Sequence, residues 1–218
     1  MRALVLASGL LCAAAVEPPR AATVSFLDGT AQVRRGPGMP QDVRQGSALQ
    51  PGDQIETGDD SRLELKLDTT VLRLGPRTRL VLPAAPGRGA PAGRQAPLEL
   101  LSGKLRASPS DRDLQVATEH ALLRARAAGF RLDSHEDHSV LVRVYSGSVA
   151  VRSADRAAKQ SLTGRAVRPK PWEKTVGKGT QMLIGADGTP GVPAPFTEAD
   201  EKDDDWAAWN RKRDGQGK

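Results

Sequence analysis

The chain has 218 residues, 38% of them hydrophobic and 3% aromatic, a length that suits one domain with tails. Its 22 Gly and 16 Pro argue against a helical bundle and for many short strands joined by turns. With 32 Lys and Arg against 26 Asp and Glu the net charge is +6; an export signal at the N-terminus argues against a nucleic-acid partner, and the arginines are spread along alternating segments rather than gathered into a patch.

The N-terminus reads as a secretory signal peptide over residues 1–22. Arg2 precedes an apolar run from Ala3 to Val16, the small residues Ala13 to Ala15 follow, and Glu17–Pro19 breaks the pattern. The run is too short to span a bilayer comfortably, and no later stretch could do so. The only cysteine, Cys12, lies inside it and is preceded by Leu11, which counts against a lipoprotein. Once the segment is removed, the chain holds no disulfide, thiol nucleophile or thiolate metal site. The expected location is periplasmic or secreted, with no membrane span after signal removal.

The sequence from Val24 to Arg34, VSFLDGTAQVR, has apolar positions two apart on either side of Gly29. The same outline recurs in LELLSGKLRAS around Gly103 and in VRVYSGSVAVR around Gly147. Each glycine is expected at the tip of a tight hairpin, where positive φ needs a residue without Cβ. Between the first two copies runs LQPGDQIETGDDSRLELKLDTTVLRLGPRTRLVL. Leu63, Leu65 and Leu67 alternate with Arg62, Glu64 and Lys66, a period of two that makes one face apolar and the other charged. Asp68-Thr69 and Gly75-Pro76 interrupt it, and Leu72, Leu74, Leu80 and Leu82 resume it, so three short strands are expected. The acids beside glycine, Asp53, Asp59 and Asp60, read as turn residues rather than a catalytic carboxylate pair.

Residues 83–97, PAAPGRGAPAGRQAP, carry no apolar period and are expected to form an exposed, mobile Pro/Gly loop. The stretch Val116–Ser134 has helix formers, but Gly129 and strand-like flanks favour strands. In SHEDHSV, His135 and His138 frame two acids; between strands this reads as a hairpin turn rather than a metal site. After GTPGVPAP the composition shifts. Thr197 can cap a short helix with acids at its start, Trp206 and Trp209 share a face, and Arg211–Arg213 lie near its end. That Trp face can dock on the β domain or on a partner.

No nucleophile elbow, phosphate-binding loop, dinucleotide fingerprint or zinc spacing occurs. The chain is therefore read as non-enzymatic, with no catalytic, metal or cofactor-binding residue and no cofactor.

Taken together, these motifs resemble the FecR domain. The resemblance covers an opening strand like GTAQVRRG, an L-x-x-G-D-x-I-x-T step, the leucine strands, a strand pair like LELLSGKLRA and a closing pair like VLVRVYSGSVAVR, in order over residues 24–152. The matching positions are Leu49, Gly52, Asp53, Ile55, Thr57, Leu63, Leu65, Leu72, Leu74, Gly103, Arg126, Phe130 and Gly147. Where such domains carry R-G-T-x-F, this chain has Arg126-Ala127-Ala128-Gly129-Phe130. Regulators of the family carry a cytoplasmic anti-sigma segment and a transmembrane helix; this chain opens on an export signal, so control of a sigma factor is not carried over.

The resemblance implies an all-β exported module that binds another envelope protein, such as an outer-membrane receptor or regulator, in cell-surface signalling. The alternative is a binder of peptidoglycan or anionic envelope polysaccharide through Arg-bearing strand faces. The expected organisation is a signal peptide over 1–22, a FecR-like β domain over 23–186, and a Pro/Gly linker with a charged C-terminal helix or tail over 187–218. The expected fold is many short antiparallel strands and hairpins in a small sandwich or solenoid-like domain, with Trp206 and Trp209 as candidate partner-binding residues.

Overall fold

A computed structural model describes residues 21–85, 96–108, 111, 113–154, 159–160, 166–167 and 170–216. The expected signal peptide up to residue 20, Cys12 included, and the middle of the 83–97 stretch lie outside the described residues. The strands in chain order are β1 (Ala22–Asp28), β2 (Ala31–Arg34), β3 (Gln41–Asp42), β4 (Ala48–Leu49), β5 (Gln54–Thr57), β6 (Arg62–Leu67), β7 (Thr70–Leu74), β8 (Arg79–Val81), β9 (Leu98–Ala107), β10 (Leu114–Ala117), β11 (Ala121–Ala125), β12 (Gly129–Ser134), β13 (Val140–Ser146), β14 (Ser148–Ser153), β15 (Lys159–Gln160), β16 (Ala166–Val167), β17 (Glu173–Gly177), β18 (Thr180–Ile184) and β19 (Ala194–Pro195). A 3-10 turn (Glu198–Glu201) and the helix α1 (Asp205–Gln216) close the chain. The helix-forming residues Ala121–Ala125 do fold as a strand, because β11 finds antiparallel partners in β10 and β14.

Strands β15 and β16 pair with each other, and the other seventeen form two layers. The first runs β4-β1-β6-β7-β9-β12-β13-β18-β19, and the second β3-β2-β5-β8-β9-β10-β11-β14-β17. Pairing is antiparallel throughout except between β9 and β10. The strand β9 belongs to both layers: its first half pairs with β8 and β10, and its second half with β7 and β12. Inward residues of both layers make one core that includes Leu63, Leu65, Leu72 and Leu74 from the first and Ile55, Leu80, Val149 and Val151 from the second. Burial of each large aliphatic side chain contributes about 1.5–3 kcal/mol, and their period-two spacing is what makes the layers close on one another.

The expected hairpin tips at Gly29, Gly103 and Gly147 are corrected. All three have positive φ, +85°, +91° and +70°, but each marks a corner between layers. The strands β1 and β2 flank Gly29 and pair with different partners, β6 and β5. The strand β9 runs straight through Gly103 and changes layer there. Gly147 separates β13, paired with β12, from β14, paired with β11. Hairpins occur instead within a layer, at Asp68-Thr69 between β6 and β7 and at His135–Ser139 between β12 and β13. The reason is packing: a Cβ on Gly103 would lie 2.5 Å from the Thr78 Cα, so the two layers meet closely where the strand turns over.

Candidate functional site

The positions of the sequence signature are structural. Gly52 has φ +82°, and the Asp53 carboxylate accepts the Gln50 amide at 2.8 Å and pairs with Arg35 at 3.3 Å, which locks the turn into β5. The Thr57 hydroxyl donates to the Gly75 carbonyl at 2.6 Å and accepts the Thr78 amide at 2.9 Å, tying two corners together. Leu49, Ile55, Leu63, Leu65, Leu72, Leu74 and Phe130 are core. Arg126 is exposed and 3.9 Å from Asp113. Asp59 and Asp60 lie in the turn before β6. His138 takes φ +68° in its hairpin and bonds Glu119 at 2.7 Å. Among the described residues no group of three His, Cys, Asp or Glu has the arrangement of a metal site.

The site that sequence reading missed is on the outer face of the first layer. In this layer arginine stands between apolar residues four times: Leu72-Arg73-Leu74, Leu105-Arg106-Ala107, Phe130-Arg131-Leu132 and Val142-Arg143-Val144. In each, the neighbours are buried in the core, so the arginine must point outward. Register then aligns them. Arg73 lies opposite Arg106, Arg106 opposite Arg131, and Arg131 opposite Arg143. Glu64 and Phe26 extend the row on one side and Gln181 on the other. Arginines expected to be dispersed are therefore gathered into one line, because strands far apart in sequence are neighbours in the layer. Lys104 and Asp133 stand opposite one another in the next row of the same face.

Like charges directly opposite one another on a sheet destabilise it. Glu64 and Asp133 alone cannot compensate five cations. The chain's own C-terminal segment supplies the rest. Asp214 reaches Arg73 and Arg106, the latter at 2.7 Å. Glu201 pairs with Arg131 at 3.2 Å and Arg143 at 3.6 Å. Asp204 pairs with Arg131 and with Lys104. Within the sheet, Arg73 holds Glu64 at 3.0 Å and Arg131 holds Asp133 at 2.9 Å.

The predicted helix exists, but its start is corrected from Thr197 to Asp205. The Thr197 amide donates to Asp200 and only the 3-10 turn follows. Asp204 is the cap of α1: its Oδ1 accepts the Trp206 and Ala207 amides at 3.0 and 3.1 Å, while its Oδ2 faces Arg131 and Lys104. The Trp face docks on the β domain. Trp206 is 3% exposed, its ring packs on Gly75, and the Arg131 guanidinium lies 4.8 Å from the ring centre. Half-buried Trp209 packs on Phe26, with ring centres 5.8 Å apart, and Arg73 lies 5.8 Å away over the ring. The Pro/Gly stretch expected as a linker is held to β18 through the Gly191 amide and through β19. The Phe196 amide donates to Gly179, and its ring meets Tyr145 edge-on.

The electrostatics follow from this packing. Burial alone would raise the Asp204 carboxyl, but the Arg131 charge and hydrogen bond, the Ala207 amide and Lys104 outweigh it and bring it down to about 2. Burial also opposes ionisation of Glu64, yet hydrogen bonds from Ser25 and Arg73 and the Arg213 charge hold it below its ordinary value. Burial, and then the hydrogen bond to Glu201, push the Tyr145 phenol up; its hydroxyl donates to Glu201 at 2.6 Å. This is a charge-paired surface on which the C-terminal segment docks.

Comparison with known proteins agrees with the resemblance. The profile of the FecR protein family matches residues 53–150, from the Asp53 turn to the middle of β14. No curated protein matches the chain. Two crystal structures of a candidate anti-sigma factor from Parabacteroides distasonis are similar to it, each 16% identical, with TM-scores of 0.47 and 0.46. The match covers 66% of this chain, which spans 59% of that chain's length. Similarity of that degree carries no functional weight. Through turn, leucine strands and corner glycines, residues 53–150 of this chain are similar to the FecR protein family.

Proposed function

We propose that the chain is an exported, non-enzymatic module that binds another protein of the cell envelope in signalling. The similarity to the FecR family over residues 53–150 carries this reading, since that family is of a regulatory rather than a catalytic kind. The fold supports it with a usable edge. The outermost strands β3, β4 and β19 have two residues each, whereas β17, outermost in the second layer, has five. Among the described residues no strand lies along its far side, and Glu173, Lys174 and Thr175 are exposed. An edge of this length can accept a strand from a partner. Such an edge offers backbone donors and acceptors that a protein strand matches and a polysaccharide does not, so protein binding is the reading adopted. Among the described residues no helix is long and apolar enough to cross a membrane.

A photo-cross-linking residue at Lys174, used in intact cells, tests it. The expected product is a membrane receptor or regulator, absent when the cross-linker sits at Glu136 in the β12–β13 turn. Recovery of glycan strands only, or the same products from both positions, would overturn it.

A further inference from the structure

We infer that the arginine row is a binding site for an acidic, tryptophan-bearing segment of a partner protein, and that the chain's own residues 197–216 occupy it as a displaceable strap. The inference rests on the reading of the chain as a protein-binding module and supplies the partner's chemistry.

The chemistry is on the surface itself. Carboxylates at Glu201, Asp204 and Asp214 reach each of the five cations, and two indoles lie across the guanidiniums. A planar guanidinium that pairs with a carboxylate and stacks on an aromatic ring is selective for a segment carrying both groups.

Three observations mark the strap as an imperfect occupant. Its apolar anchors are few, buried Trp206 and Ala207 and half-buried Trp209, and the rest of its attachment is charge pairing at a partly exposed rim. The Trp206 indole N–H is buried with no hydrogen-bond partner among the described residues, a deficit that a better-fitting ligand would avoid. An open hollow lies beside that ring, between Asp60, Arg62, Pro76 and Lys104 of the β domain and Asp203–Trp206 of the strap, so the two do not meet tightly there. The chain before the strap is fixed at Phe196, which makes Thr197 the natural pivot.

The test uses the full chain and a fluorescein-labelled peptide with the sequence of residues 197–214. The wild-type protein is expected to bind it weakly, because the site is occupied in cis. The variant Asp204→Asn with Asp214→Asn loosens the strap and leaves the sheet face intact; it is expected to bind at least tenfold more tightly. Adding Arg106→Gln to that variant should remove the gain. A peptide with both tryptophans replaced by alanine should bind at least tenfold more weakly than its parent. No gain in the double variant, or equal binding of the two peptides, overturns the inference. Should the double variant lose its β-sheet circular dichroism, Trp209→Ala loosens the strap by another route and the same gain is required of it. A partner captured at Lys174 without any peptide gain sinks this inference alone. Peptide gain with no captured protein sinks the envelope-binding reading alone.

Discussion

Glycines at corners and glycines at turns should respond differently to a methyl group. Gly103 and Gly52 have similar positive φ, +91° and +82°. A Cβ at Gly52 meets nothing within 4 Å, whereas at Gly103 it lies 2.5 Å from the Thr78 backbone. Gly52→Ala therefore carries backbone strain only, about 1 kcal/mol, and Gly103→Ala adds a clash that the packed layers cannot relieve, on the order of 3 kcal/mol in all. Urea midpoints of the two variants check this; equal losses would show that Gly103 is an ordinary turn. The arginines have their own asymmetry. A buried ion pair adds little net stability, but Arg131 sits among Asp133, Glu201 and Asp204, and removing it would leave these three buried or half-buried carboxylates to Arg143 and Lys104 alone within the sheet. The residue is present because of what covers the sheet, and its neutral flanks Phe130 and Leu132 hold the strand in place.

The C-terminal segment is the element whose attachment depends on pH. The Asp204 carboxyl titrates near 2 in the folded protein against an ordinary 3.8. Its folded value is the lower one, so its contribution is complete above the ordinary range and fades as pH falls from 3.8 towards 2. Tryptophan emission, recorded with Trp172→Phe so that only Trp206 and Trp209 report, should shift to the red across that window. The Asp204→Asn variant should begin already shifted and change less; identical profiles would remove Asp204 from the attachment. This element was half legible in the sequence. The paired tryptophans and terminal acids announce a helix, but Thr197 captured only a 3-10 turn because Asp204 caps more effectively while also facing Arg131. What the helix covers was hidden, since the four apolar-Arg-apolar triplets look independent until the register across β7, β9, β12 and β13 lines them up.

At the scale of the molecule, strands were readable and layers were not. Alternating leucines at 63, 65, 72 and 74 define their own faces locally. Which layer a strand joins depends on partners distant in sequence, as with Val24 opposite Leu65 or Phe130 opposite Ala107. So a glycine between two apolar runs looks the same whether the chain doubles back or crosses over. One strand has a consequence for the whole. Because β9 supplies its first half to one layer and its second half to the other, neither layer keeps its central strand once the other is lost. The two should melt as a single cooperative unit, with calorimetric and van't Hoff enthalpies in agreement. Two resolved heat-absorption peaks would mean that the ten residues of β9 do not transmit unfolding from one half of the domain to the other.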